Sequence, residues 1–108
     1  MAESNVKEIM EQIPNYFNKE LAKGLNSTIQ FNLTGEQGGD WYMIIEEQTC
    51  AVHEGKIEKP NLTLRSDAIL ATKILSGEED GMRAYMMGKL KLMGDLSLAM
   101  KLVTLFRQ

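Results

Sequence analysis

The stretch KLKLMGDLSLAMKLVTLF, residues 89–106, contains both secondary-structure periods side by side. Lysine and leucine alternate from Lys89 to Leu92, the period of two that sends successive side chains to opposite faces of a strand. Gly94 and Asp95 break the alternation, and the apolar residues beyond them recur with helical spacing to about Phe106. Aspartate is a strong helix-capping residue, so Asp95 marks the start of that helix. On a helical wheel Ser97, Lys101, Thr104 and Gln108 form one narrow polar stripe. Leu96, Leu98, Ala99, Met100, Leu102, Val103, Leu105 and Phe106 fill the rest. A helix lying on a sheet needs an apolar arc of about 100° or a little more. This arc is far wider, so part of it covers a sheet and the remainder requires a second apolar partner: another helix, another subunit or a ligand.

Working back from this segment, Ser66 or Asp67 caps an earlier helix containing Ile69, Leu70, Ile74 and Leu75, which Gly77 stops. Residues 78–87 have room for one short helix. Upstream the pattern is of strands. Ile29, Phe31 and Leu33 alternate with Thr28, Gln30 and Asn32, the signature of a half-buried strand. Residues 41–45 are apolar on both faces, which predicts an interior strand. Residues 49–53 form a third strand, and Leu62 and Leu64 a fourth. TGEQGGD (residues 34–40) and residues 46–48 supply the turns. At the start, Val6, Ile9, Met10, Ile13, Phe17 and Leu21 share a helical face over residues 4–21, with Ser4 as cap and Gly24 as terminator. Pro14 interrupts this run and predicts a kink or two short helices. The order of elements specifies an α+β class with five strands. The length of 108 residues fits one domain, residues 1–108, with one hydrophobic core.

Composition narrows the function. Apolar residues are 44% and charged residues 25% of the chain, ordinary values for a globular domain, and no apolar run approaches the roughly 18 residues of a membrane span. The formal charge of −3, with basic residues distributed along the chain, argues against a nucleic-acid partner. The charged start lacks the apolar centre of a secretory signal, and Cys50 is the only cysteine, so no internal disulfide forms. These features point to the cytoplasm. The glycosylation-type triplets at Asn26, Asn32 and Asn61 are then chance matches.

Catalytic and metal chemistry finds little support. His53 is the single histidine, and no zinc-ligand spacing exists. Nothing brings His53 beside Ser66 or Cys50 as a base–nucleophile pair. Cys50 alternates with Val52 and reads as a small buried residue, and Trp41 reads as sheet packing. Gly35, Gly38 and Gly39 read as a hairpin, and Gly88-Lys89 leads into a strand, so neither is a phosphate loop. Glu78, Glu79 and Asp80 read as an exposed acidic turn. No cofactor, no metal and no enzymatic activity are expected.

Methionine usage bears on the partner of the last helix. Of eight methionines, Met82, Met86, Met87, Met93 and Met100 follow Asp80. Methionine adapts to variable apolar shapes, as a ligand pocket demands, but it also fills gaps in ordinary cores. Composition alone favours gap-filling.

YMMGKLKLMGDLSLAMKL, residues 85–102, strongly resembles the signature of the sterol carrier protein 2 family: a Gly-Lys-Leu-Lys strand, then Gly-Asp or Gly-Asn, then an Ala-Met-Lys-Leu helix. The glycine hairpin into Trp41, the strand Leu62-Thr63-Leu64 into Ser66-Asp67, and Gly77 ahead of Asp80-Gly81 match in the same order, so the resemblance covers nearly the whole chain. It implies a five-stranded, mostly antiparallel sheet with helices packed on one face, enclosing an apolar tunnel. By position it implies that the tunnel is lined by Met82, Met86, Met87, Leu98, Met100 and Leu102, with Phe31 and Met43 or Ile45 from the sheet. The implied function is non-catalytic binding, with transfer where it occurs, of a lipid such as a fatty acid, a fatty acyl-CoA or a sterol-like molecule. The implied context is a free-standing prokaryotic-type domain, with transient membrane contact or a homodimer permitted. The competing reading is an accessory subunit that dimerises or docks on an enzyme through its apolar last helix.

Overall fold

The computed structural model describes residues 6–106. In chain order the elements are α1 (Val6–Gln12), a 3₁₀ turn (Ile13–Tyr16), β1 (Ser27–Thr34), β2 (Gly39–Glu46), β3 (Thr49–Glu54), β4 (Leu62–Asp67), α2 (Ala68–Ser76), α3 (Gly81–Met86), β5 (Leu90–Gly94) and α4 (Leu96–Leu105). The expected cap Ser4, the end of the polar stripe at Gln108 and the side chain of Val103 lie outside the described residues.

The five strands form one sheet in the order β3-β2-β1-β4-β5, antiparallel except for the parallel pair β1–β4. Two hairpins produce β1-β2-β3. The second is closed by Glu47 and Gln48, both at positive φ (47° and 60°), the left-handed pair that a tight hairpin demands. β3 is then an edge strand, and the chain must cross β2 and β1 to start β4. It crosses on the face away from the helices and is fastened there by Gln30. The Gln30 side-chain amide donates to the carbonyls of Trp41 (3.0 Å) and Gly55 (3.1 Å), and its oxygen accepts from the Ile57 N–H (2.9 Å). A glutamine on the polar face of β1 is thereby buried without an unmet hydrogen bond.

The other face is the core. Ile29, Phe31, Met43, Ile45 and Leu62 are fully shielded there, and the register places Phe31 between Trp41 and Leu64. β2 is interior, as its apolar run predicts, but only Trp41, Met43 and Ile45 are buried. Tyr42 and Ile44 remain half-buried on the far side. Aspartates open the last three helices. The Asp67 carboxylate accepts from Ile69 and Leu70, that of Asp80 from Met82 and Arg83, and that of Asp95 from Leu98. Gly77, at φ +88°, ends α2 as expected.

The first helix is shorter than its apolar face suggests. α1 stops at Gln12, where Pro14 converts the chain to a 3₁₀ turn, and Leu21 is exposed rather than packed. The segment after the turn is tied to the end of α4 by the Asn18 N–H to the Leu105 carbonyl (2.8 Å) and by the Phe17 and Phe106 rings, 5.6 Å apart. This contact uses part of the wide apolar arc of α4.

The junction between β5 and α4 explains Gly94. Its φ is +108°, and a Cβ there would run into the Asn61 carbonyl oxygen. That oxygen accepts the Asp95 N–H at 2.9 Å. Only glycine lets the turn lie this close on the start of β4.

Candidate apolar binding cavity

Three helices and two strands leave space between them near the β5 edge of the sheet. The cavity has a volume of about 330 Å³. Leu64 of β4 and Leu90 and Leu92 of β5 form its floor. Ala71, Ile74 and Leu75 of α2 make one wall, Gly81, Met82 and Tyr85 of α3 a second, and Leu96, Ala99, Met100, Leu102 and Thr104 of α4 a third. The strand residues face inward because Leu90 and Leu92 alternate with the lysines read from the sequence. Most of the α4 residues come from the arc that the sheet does not use: Leu98 and Leu105 are buried, whereas Leu96 is 47% and Met100 62% exposed, and buried Leu102 belongs to both core and cavity wall.

The lining is apolar except for Asp80 and Thr104. The Asp80 carboxylate is engaged with two backbone N–H groups of α3, at 2.9 and 3.3 Å. Among the described residues no lysine, arginine or histidine lines the cavity. Such a space can hold an apolar group by removing it from water, and its volume lies at the small end for ligand pockets. Taking about 30 Å³ for a water-sized or methylene-sized group, it accommodates roughly eleven of them.

The residues considered for nucleophilic chemistry do not meet. Cys50 lies on the core side of β3, paired with Ile45, and burial pushes its thiol up to about 12, so it is not a reactive thiolate. His53 lies on the opposite face of the same strand, against the Tyr42 ring at 5.2 Å. Ser66 is buried on β4 and donates its hydroxyl to the Asp67 carbonyl. Among the described residues no three His, Cys, Asp or Glu side chains gather as a metal site, and no helix is long and apolar enough to cross a membrane.

Residues 6–107 match the model of the SCP-2 sterol transfer family. The chain belongs to that family. Hydroxysteroid dehydrogenase-like protein 2 of Xenopus laevis is 30% identical over 106 residues, which are 97% of this chain and 25% of that protein. The chain thus spans about a quarter of the length of the curated relatives it matches. Among solved structures, the stereoselective inverting sec-alkylsulfatase from Pseudomonas sp. superposes with a TM-score of 0.80 at 16% identity, over 92% of this chain and 16% of that one. Sterol carrier protein 2 from Aedes aegypti, solved in complex with C16 fatty acid (palmitate), superposes with a TM-score of 0.67 at 14% identity, over 95% of this chain and 94% of that one. These likenesses establish the SCP-2 fold, the five-stranded mixed sheet with helices described above.

Within this SCP-2 domain the nine positions carried over from the family resemblance separate into three groups. Met82, Met100 and Leu102 line the cavity. Phe31, Met43, Ile45 and Leu98 sit in the closed core, each at most 2% exposed, and do not reach it. Met86 and Met87 project outward, 77% and 57% exposed. The cavity comes to the surface between α3 and α4, beside exposed Met82, Tyr85, Leu96 and Met100. The sequence reading did not single out Leu64, Ala71, Ile74, Leu75 and Ala99, which are indistinguishable from core residues by pattern. It had a usable signal for Leu90, Leu92 and Leu96 in the strand–turn–helix segment itself.

Proposed function

We propose that this domain binds, without chemical conversion, a lipid whose apolar chain occupies the cavity between α2, α3, α4 and the β4–β5 edge. The observation that carries the reading is the cavity lining, apolar but for Asp80 and Thr104. The palmitate complex of the Aedes aegypti protein of the same fold supports it. Met82, Met100 and Leu102 then touch the chain directly. Phe31, Met43, Ile45 and Leu98 hold the walls in place from beneath, and Met86 and Met87 stand outside. With no cation in the lining among the described residues, a fatty acid or fatty acyl-CoA keeps its head group at the mouth, in water. The proposed setting is the cytoplasm, in keeping with a lone thiol.

The test is displacement of a fluorescent fatty acid by unlabelled fatty acids of increasing length. Each methylene buried contributes about 0.8 kcal/mol, close to fourfold in affinity. Affinity should climb at that rate and level off near about eleven chain carbons, where the volume is filled. Absence of saturable displacement at any length refutes the proposal.

A second reading draws on the relatives, in which the matched region is about a quarter of a longer chain. It makes the domain an accessory module that presents lipid to an enzyme. Light scattering of the purified chain tests the self-association that this reading permits.

A further inference from the structure

The face of the sheet away from the helices carries a cleft that lipid binding does not use. It lies where the 55–61 crossing runs over the strands and has a volume of about 480 Å³. Asn32 of β1 and Thr63 and Arg65 of β4 form its floor, and Lys56, Ile57 and Pro60 of the crossing form its bank. The strand residues face it because they alternate with Leu33, Leu62 and Leu64, which are buried on the core side. The sheet itself separates this cleft from the apolar cavity.

The strand register sets the charge of this floor. Asp40, Asn32, Arg65 and Lys91 stand in one row across β2, β1, β4 and β5. Arg65 and Lys91 are therefore direct cross-strand neighbours on the same face, and both are exposed. Like charges directly opposite each other on a sheet repel and destabilise it. Among the described residues neither side chain has an ion-pair or hydrogen-bond partner. The nearby acids do not offset this pair. Asp40, at the other end of the row, faces Lys56 at 3.9 Å. Asp67, two residues beyond Arg65, accepts from the Ile69 and Leu70 N–H groups. Glu58 of the crossing is exposed and does not line the cleft. The Asn32 amide and the Thr63 hydroxyl, both on half-buried residues, also lack a hydrogen-bond partner among the described residues, and each can donate to an anion.

We propose that this cleft binds a phosphomonoester, a small molecule with a terminal phosphate. The planar Arg65 guanidinium grips two phosphate oxygens, Lys91 adds a second positive charge from the β5 side, and Asn32 and Thr63 donate hydrogen bonds. An anion held between Arg65 and Lys91 replaces their repulsion with two attractions. At about 30 Å³ per water-sized group the cleft holds roughly sixteen such groups, more than the five heavy atoms of a phosphate. The surplus space runs along Ile57 and Pro60, an apolar bank that suits the ring of a nucleoside or a comparable group. The proposal is independent of what the apolar cavity holds.

The experiment is calorimetric titration of the full chain, in phosphate-free buffer, with adenosine 5′-monophosphate, adenosine and inorganic phosphate. The monophosphate should bind saturably with a Kd of about 1 mM or below, bind less well as salt is added, and raise Tm. Adenosine should not bind, and inorganic phosphate should bind about tenfold more weakly than the monophosphate. Arg65→Gln should weaken monophosphate binding about tenfold or more, and Lys91→Gln about fivefold. Without ligand both variants should keep a Tm at or above that of the wild type, because each removes one member of a repelling pair. Lost binding is then not lost folding. Lys101→Gln, on α4 across the sheet, is the control and should bind as the wild type does. Fatty-acid displacement should be unchanged in all three variants. The proposal is overturned if the monophosphate shows no saturable binding up to about 10 mM, or if Lys101→Gln loses as much as Arg65→Gln. Inorganic phosphate binding as tightly as the monophosphate would also overturn it, by making free phosphate the ligand.

Discussion

Ala99→Leu tests the cavity at its most informative point. Ala99 lines the cavity from α4 and is only partly buried. Leucine adds three carbons and is as compatible with a helix as alanine to within a few tenths of a kcal/mol. At about 30 Å³ per methylene-sized group, the new side chain takes up roughly a quarter of the 330 Å³. The ligand then loses room for about three carbons. For chains long enough to fill the wild-type cavity, the lost burial is about 2.4 kcal/mol, near sixtyfold in Kd. For chains several carbons shorter there should be little change. The displacement series therefore shifts its plateau from about eleven carbons to about eight, and thermal unfolding shows a Tm equal to or above that of the wild type. A uniform loss at every chain length would mean distortion rather than filling. An unchanged plateau would mean that the chain lies elsewhere, and either outcome refutes the reasoning.

Three further predictions concern the frame. Gly94→Ala forces a Cβ against the Asn61 carbonyl at φ +108° and should lower stability by about 2–4 kcal/mol in urea unfolding. Gln30→Leu leaves the Trp41 and Gly55 carbonyls and the Ile57 N–H without their partner. It should cost about 2–4 kcal/mol while fatty-acid displacement is retained, since the cavity lies on the other face. The Cys50 thiol, raised from 9.0 to about 12 by burial, stays protonated in the folded state while the unfolded chain ionises. Stability should therefore fall as pH rises from about 9 towards 12, by less than about 1.4 kcal/mol per unit given its partial exposure. Cys50→Ala should flatten that slope.

Most of the frame was legible in the sequence because it depends on local rules. Alternation located the strands, and Asp67 and Asp95 mark helix starts by the chemistry of their side chains, whereas Asp80, read as part of an exposed acidic turn, turns out to cap α3. The parallel pairing of β1 with β4 was not legible, because it depends on where the 55–61 crossing lies. That crossing is fastened by Gln30, a residue whose alternation only said that it faces away from the core. The early shortening of α1 was half legible. Pro14 announced a break, but the apolar spacing that continues to Leu21 gave no sign that the chain would turn away before using it.

The methionines show where pattern stops being informative. Met43 and Met100 look alike as apolar residues, yet Met43 is wholly shielded by the sheet and its helices, while Met100 is 62% exposed at the cavity mouth. Periodicity assigns a side chain to a face. It does not say whether that face meets another element, an empty space or solvent, because that is decided by how far neighbouring elements stand apart. The width of the α4 arc did carry this information in aggregate. An arc larger than a sheet can cover must spend its surplus somewhere. Here the surplus is divided between Phe106 against Phe17, the cavity wall at Ala99 and Leu102, and the exposed edge at Leu96 and Met100. The first part stabilises the fold and the second makes room for an apolar chain. The third remains exposed at the mouth of that cavity.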